Sequence, residues 1–447
     1  MKQLKPYFFG SVISLLAVFS SCSSNKTDPT PETPQLTVTA FSPSSGKAGS
    51  LVTITGTTFG TDVNAVTIKF GNAAAIKPKT IKATELTAEV PADATTGKIT
   101  VAIAGGNTVS SKNDFTVTVD PVEDYSAYTK IEHTGTANLS VARDGLAAAA
   151  LGDYIIFAGG QTAANEFSKA VDIYNIKTNT WTTAELSEAR YQLSAAAAGT
   201  KIIFAGGVGN GPDSKTVDIF DIVTQTWSTA QLSQGRYRLT AAAIGNKIFI
   251  AGGADDGVES KTVDIYDAST NSWTTSQLSA GRRRLAAAVA GNKVLVAGGS
   301  GDKEKVVDIY DNTTATWTTA ELSEDRSHCV GAGNANIAIF GDGKTVDIYN
   351  ATTNAWSISN LSTFRYDFAS AAAGTKIVFA GGASEHVSVY PKTADIYDVK
   401  TGTWTTLPLS EGRDLLKGAA TKNKMLFAGG STDNGPSKTV DIYTLSK

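Results

Sequence analysis

An arginine recurs at positions 143, 190, 236, 282, 326, 365 and 413, and each one opens a nearly identical series of elements. Behind it come a stretch of small apolar residues, a turn such as AAGTK or AIGNK, a run closing on Gly-Gly, a variable loop, a VDIY-like run and a run containing Trp. The Gly pairs stand at 159/160, 206/207, 252/253, 298/299, 381/382 and 429/430, and the fifth unit carries IFGDG (339–343) instead. The third runs end at Tyr174, Phe220, Tyr266, Tyr310, Tyr349, Tyr397 and Tyr443, and Trp181, Trp227, Trp273, Trp317, Trp356 and Trp404 complete six units. A period of about 45 residues with four short strands per period implies sheets stacked radially, because one such sheet cannot bury both of its faces alone. Seven units therefore predict an all-β chain with a seven-bladed β-propeller over residues 120–447.

Each repeated element has a physical use. Gly-Gly permits a sharp turn with positive φ where sheets crowd. Period-two alternation in VDIY sends Val and Ile to one face and Asp and Tyr to the other. Stretches such as LSAAAAG (193–199) have helical propensity, but the repeat places them as innermost strands, where small side chains suit the crowded axis. The array of Gly-Gly, the third-strand aromatic and the spaced Trp resembles the kelch repeat family. The seventh unit stops at TVDIYTLSK without a Trp run, while TGTANLSVAR (134–143) aligns without gaps to WTTAELSEAR (181–190). Residues near Ile131 to Leu139 are thus expected to pair with the strand around Val440 to Tyr443, joining the two ends of the ring and leaving no open edge.

Ahead of the repeats, residues 36–119 alternate short β patterns with turn clusters: LTVTAF, LVTITG, VTIKFG, LTAEV, KITVAIAG and FTVTV. This is the signature of a small β-sandwich. The run FSPSSGKAGSLVTITGTTFG (41–60), with VPADATTGKITV and the closing FTVTV, resembles the IPT/TIG immunoglobulin-like family, which implies a spacer or interaction module. Residues 1–21 read as an export signal: Lys2 and Lys5, an apolar run from Tyr7 to Phe19, then Ser20 and Ser21 before Cys22. The run is short for a membrane span. Small residues directly before a cysteine resemble a bacterial lipobox, although Phe19 stands where that motif usually has Leu. The resemblance implies cleavage before Cys22, lipidation of its thiol and anchorage at the bacterial outer membrane or cell surface; an ordinary cleaved signal with an incidental cysteine is the alternative. Residues 22–35, rich in Ser, Thr, Pro and Asn, read as a flexible tether.

The chain has only two cysteines, Cys22 and Cys329, so its core must hold without a disulfide framework, and Cys329 reads as a buried small apolar residue. A net charge of −3 offers no general attraction to nucleic acid or anionic lipid, so neither is expected as a partner except for membrane contact through the anchor. No HExxH, GxSxG or P-loop sequence occurs, and no cofactor is expected.

Positions common to all units are best explained by architecture, whereas positions that differ are free to serve a ligand. The repeated Arg and the repeated Asp (172, 218, 264, 308, 347, 395, 441) are too regular to be a site; each Asp, on a strand covered on both faces, needs a partner, which Arg or backbone N–H groups could provide. The residues after each Arg vary. The kelch resemblance places them at the mouth of the central channel: Tyr191 and Gln192, Tyr237 and Arg238, Arg283 and Arg284, Ser327 and His328, Tyr366 and Asp367, and Asp414. Rings beside Arg, Gln and Asp suit a sugar or a carboxylate, and Arg238, Arg283, Arg284 and His328 form a basic sector in an acidic chain. A groove between His328 and the long loop 383–392 is also expected, with Tyr390 or His386 lining it. The leading functional expectation is non-catalytic capture of a glycan or of a surface or secreted protein. An enzyme acting on an acidic sugar, like the sialic-acid mutarotases with kelch blades, is the alternative, with Arg238, Arg284, Asp367 and Asp414 at its mouth. A galactose-oxidase-like copper site is a further one, set against a chain that has only His133, His328 and His386.

Overall fold

A computed structural model describes residues 35–91, 93–118, 125–301, 303–385 and 389–447. The signal segment, Cys22 with the tether up to Pro34, and His386 lie outside the described residues. The chain divides into two units, Met1–Val122 and Glu123–Lys447. This division differs from the boundary expected after residue 119 only within residues 119–124, which are also outside those described. Among the described residues the only helical element is the single 3-10 turn Tyr125–Ala127.

In the first unit, two four-stranded sheets face each other. One runs in the order Thr37–Ser42, Leu51–Thr57, Glu85–Glu89, Thr80–Lys82, and the other Ser45–Gly46, Thr108–Val117, Gly97–Ile103, Val66–Phe70. Alternation decides which side chains meet: Val52 and Ile54 are fully buried while Leu51 and Thr55 point outward. Ile68, Phe70, Leu86, Val101 and Phe115 complete the core, with Phe70 and Phe115 edge to face at 5.2 Å.

From Lys130 to Ser446 the described residues form seven four-stranded sheets. The first is typical: Ala147–Leu151, Tyr154–Ala158, Ala170–Asn175 and Thr180–Glu185, antiparallel in sequence order. Their innermost strands pack side by side in sequence, and the last, Lys417–Thr421, packs beside the first, Ala147–Leu151. The apolar core is correspondingly shared between neighbours. Ala149, Ile156 and Ile173 of the first sheet meet Ile202, Phe204 and Phe220 of the second. Ile155, Phe157 and Tyr174 of the first also meet Leu426, Ala428 and Val440 of the seventh. Each Trp lies on an outermost strand and packs on the third-strand aromatic, as Trp181 does on Tyr174 at 5.0 Å.

The seventh sheet takes its fourth strand from the other end of the unit. Lys130–Asn138 pairs antiparallel with Thr439–Ser446, from Thr439↔Asn138 to Ser446↔Lys130. A bulge between Ile442 and Tyr443 shifts the register, so His133 rather than Thr134 stands where the other sheets have Trp, 5.1 Å from the Tyr443 ring. His133 Nε2 also lies 2.8 Å from Asp441 Oδ1.

The repeated Arg and Asp do pair. All seven arginines have zero exposure, and each bonds the Asp of its own unit, from Arg143 with Asp172 to Arg413 with Asp441. Arg190 also donates to the carbonyls of Gly206 (2.8 Å) and Thr216 (2.7 Å), while the other carboxylate oxygen of Asp218 accepts from the Ser187 amide at 2.9 Å. Equivalent contacts recur around the ring, tying the end of one sheet to the next. Additional hydrogen bonds to both the guanidinium and the carboxylate are what make a buried ion pair tolerable.

Candidate functional site

The segment leaving each buried arginine is held by backbone bonds. The next residue exchanges two bonds with the residue after Gly-Gly, as in Tyr191 N–H to Val208 O (2.9 Å) and Val208 N–H to Tyr191 O (2.8 Å). Tyr237 with Ala254, Tyr366 with Ala383 and Asp414 with Ser431 repeat this bridge. The close approach explains the Gly pair: Gly207 has φ +105, and a Cβ there would lie 2.9 Å from the Tyr191 carbonyl.

The second residue after each arginine then turns inward with positive φ: Gly145 (55), Gln192 (56), Arg238 (53), Arg284 (58), Asp367 (47) and Leu415 (51). These residues form a chain of backbone bonds around the axis, each amide donating to the carbonyl of the equivalent residue one unit back. Gln192 donates to Gly145 (3.1 Å), Arg238 to Gln192 (3.1 Å), Arg284 to Arg238 (2.9 Å), Leu415 to Asp367 (2.9 Å) and Gly145 to Leu415 (3.3 Å). The left-handed conformation costs a non-glycine residue free energy, and the ring bonds hold it in place. The ring is interrupted at the fifth unit. His328 is not left-handed, and its amide donates instead to Asp342 Oδ2 at 2.9 Å. Asp342 replaces the first Gly of the pair, so the carboxylate captures the amide that the ring would otherwise use.

This construction places Tyr191, Gln192, Arg238, Arg284, His328 and Asp367 around one depression of about 270 Å³, floored by Leu193, Leu239, Leu285 and Cys329. A second space of about 210 Å³ shares this floor and is lined by the innermost strands. The remaining expected residues point elsewhere. Tyr237 lines a separate surface cavity with Pro212, Asp213 and Asp255. Arg283 Nε lies 3.5 Å from Glu259, and Tyr366 packs edge to face on Phe364 at 4.6 Å. Asp414 does not line the depression; it takes the bridged position, from which only Tyr191 reaches the lining. Tyr390 is not in the lining either; its carbonyl abuts Gly412.

The lining also includes residues that the sequence did not single out, among them Leu415 and Lys417. Lys417 is four positions after Arg413, where the other units have Ala147, Ser194, Thr240, Ala286, Val330 and Ala369. The signal is present in the sequence, as a charge where the other six units carry an uncharged residue.

Electrostatically the mouth is divided. Arg238 and Arg284 stand on one side, and burial followed by repulsion from Arg284 lowers the Arg238 pKa. Arg238 Nε donates to Gln192 Oε1 at 2.9 Å, and its guanidinium lies 5.7 Å from the Tyr237 ring centre. Asp367 stands on the other side, with Asp144 and Asp414 behind it. Burial, then the charges of Asp367 and Asp144, push the Asp414 carboxyl up to about 6. Burial likewise raises Asp144 and Asp342. Cys329 takes the place of the Leu found after Gln192, Arg238 and Arg284, and burial pushes its thiol up to about 12, so it packs rather than attacks.

Because the folded chain holds the Asp414 proton more tightly than the unfolded chain does, this carboxyl favours folding at low pH, and the contribution is lost as pH rises through about 6. Asp414→Asn is therefore expected to raise Tm at about pH 7.5, with most of the gain gone near pH 4. Equal gains at both pH values would assign the effect to something other than the buried charge.

Comparison with known proteins agrees with this geometry. Residues 36–117 match the IPT/TIG domain family, and residues 92–279 match the KLHDC2/KLHL20/DRC7 Kelch-repeats domain family. The architecture is IPT/TIG followed by kelch. The kelch match begins within the closing strands of the IPT/TIG unit and ends at the Trp strand of the third sheet, and the same repeat continues in the sequence to Tyr443. No curated protein matches the chain. Together the two domains suggest a protein-interaction module.

Proposed function

We propose that the kelch propeller is a non-catalytic binding module, whose partner, a glycan or a surface or secreted protein, presents a carboxylate-bearing group to the mouth. The observation that carries this reading is the convergence of Gln192, Arg238, Arg284, His328 and Asp367 on a single depression, from five units that otherwise share their architecture. Arginine forks bind carboxylates in paired hydrogen bonds, and the apolar floor excludes water from the contact. Charge-assisted hydrogen bonds contribute about 1.5–3 kcal/mol each. Arg238→Ala combined with Arg284→Ala is accordingly expected to weaken binding of a partner found by glycan array or secretome capture by at least about a hundredfold. Binding unchanged in that variant would move the site away from the mouth.

The enzyme reading has one observation in its favour: burial and the charges of Asp367 and Asp144 raise the Asp414 carboxyl to about 6, in the range of a general acid or base, although it stands behind the depression rather than in its lining. Catalysed anomer exchange of an acidic sugar, abolished by Asp414→Asn, would establish it over the binding reading. Among the described residues no group of three or more His, Cys, Asp or Glu is arranged to hold a metal ion, and His133 is engaged by Asp441 in the outer strand of the seventh sheet.

We also propose that Cys22 carries a lipid that holds the propeller at the bacterial outer membrane or cell surface, with the tether and the IPT/TIG domain as spacer. The support is the charged, then apolar, then small-residue order ahead of Cys22. Cys22→Ser should release the protein from the membrane fraction; a variant that stays there would refute the anchor.

A further inference from the structure

Lys417 is the one charged residue at its position among the seven units. It begins the innermost strand of the seventh sheet and lines both the mouth depression and the space among the inner strands, so it stands where one opens into the other. The residue is solvent-accessible where it lines the channel. Protein walls push its ammonium below the usual lysine value, and the charge of Asp367 opposes that shift. Each of the seven repeated arginines has its carboxylate, and Lys201, Lys376 and Lys422 are paired with Asp221, Asp398 and Asp153. Among the described residues, no hydrogen bond or ion pair reaches Lys417 Nζ. An accessible ammonium within a cleft, with no carboxylate bonded to it, is open to a bound anion.

The neighbourhood narrows the kind of anion. Arg238 and Arg284 line the same depression and would draw an anionic group inward, while Asp367 can only accept hydrogen bonds and repels a second negative charge. A ligand that suits both carries one carboxylate flanked by hydroxyl donors. A depression of about 270 Å³ is at the small end of ligand pockets and suits a single sugar-sized unit better than a folded surface. We infer that Lys417 is the anchor of the site, seating the carboxylate of a uronic-acid-type sugar at the throat of the channel while Asp367 accepts from its hydroxyls. This rests on the reading of the mouth as the binding site and deepens it by naming the ligand class.

The test titrates the full chain with glucuronate, glucose and a glutamate-containing peptide by saturation-transfer NMR, using the unsubstituted protein, Lys417→Met and Arg238→Ala with Arg284→Ala. Glucuronate is expected to bind at least about tenfold tighter than glucose or the peptide, and Lys417→Met to reduce it to the glucose level. Methionine removes an unpaired charge and keeps most of the side-chain volume, so Tm should hold or rise; this separates lost binding from lost folding. Glucuronate bound equally by Lys417→Met, yet lost with the two arginines, would overturn the anchor and keep the mouth. Failure of the unsubstituted protein to bind glucuronate, or tighter binding of the peptide, would overturn the ligand class. The capture experiment with the arginine variant would then judge the mouth on its own.

Discussion

Removing residues 439–447 is expected to abolish cooperative folding of the propeller. The deletion takes away the strand Thr439–Ser446, which bonds Lys424–Ala428 on one side and Lys130–Asn138 on the other. It exposes two strand edges at once and removes Asp441, the carboxylate facing buried Arg413 and His133. It also opens the apolar seam between the seventh and first sheets, where Val440 packs with Ile155, Phe157 and Leu426. The loss is not confined to one sheet, because each sheet has its faces covered by its neighbours. Thermal unfolding followed by near-ultraviolet circular dichroism should show no sharp transition for the propeller. A truncated protein that still melts in one sharp step would mean the two chain ends do not hold the ring.

Asp218→Ala is expected to destabilise the protein by about 3–5 kcal/mol. The substitution leaves the Arg190 guanidinium, which has zero exposure, with only the part-exposed Glu188 carboxylate at 3.7 Å, and it strips the Ser187 amide of its acceptor. Most of that cost comes from stranding a charge rather than from losing an attraction. Adding Arg190→Met should therefore restore part of the stability, though Gly206 and Thr216 would still lose their donor. Denaturant unfolding of the two single variants and the double variant measures this. A change below about 0.5 kcal/mol for Asp218→Ala would show that water reaches the pair and that the repeated ion pair does not hold the sheets together.

The fold was legible because repetition replaces inference about each element with inference about one. Seven near-copies put the helix-prone LSAAAAG in the same place as LAAAVAG and mark both as strands, which propensity alone would have misread. The pairing of Lys130–Asn138 with Thr439–Ser446 was visible for the same reason: the incomplete last unit matched a fragment upstream. The match between units did not disclose the bulge at Ile442/Tyr443, which puts His133 in the place of Trp. A bulge changes register without changing sequence pattern.

The site was legible only to the level of the segment. The arginine marks where each variable stretch begins, and the variation marks it as free of architectural duty. Consecutive residues there do not share a fate. Tyr237, Arg283, Tyr366 and Asp414 are the bridged positions and, unlike Tyr191, do not line the mouth, whereas Gln192, Arg238, Arg284 and Asp367 turn inward with positive φ. Nothing in the side chains announces that turn, since Gln, Arg and Asp have no need of it. It is imposed by the backbone ring linking successive units, and its interruption at His328 follows from Asp342, fourteen residues further along the chain. Sequence alone thus determined the repeated sheets, the joined ends and a recurring Asp in need of a partner, because each rests on a pattern copied many times. Which side chains share the mouth, and that Lys417 stands unpaired beneath them, was decided by tertiary structure, because only closure about an axis brings residues some forty positions apart to one point.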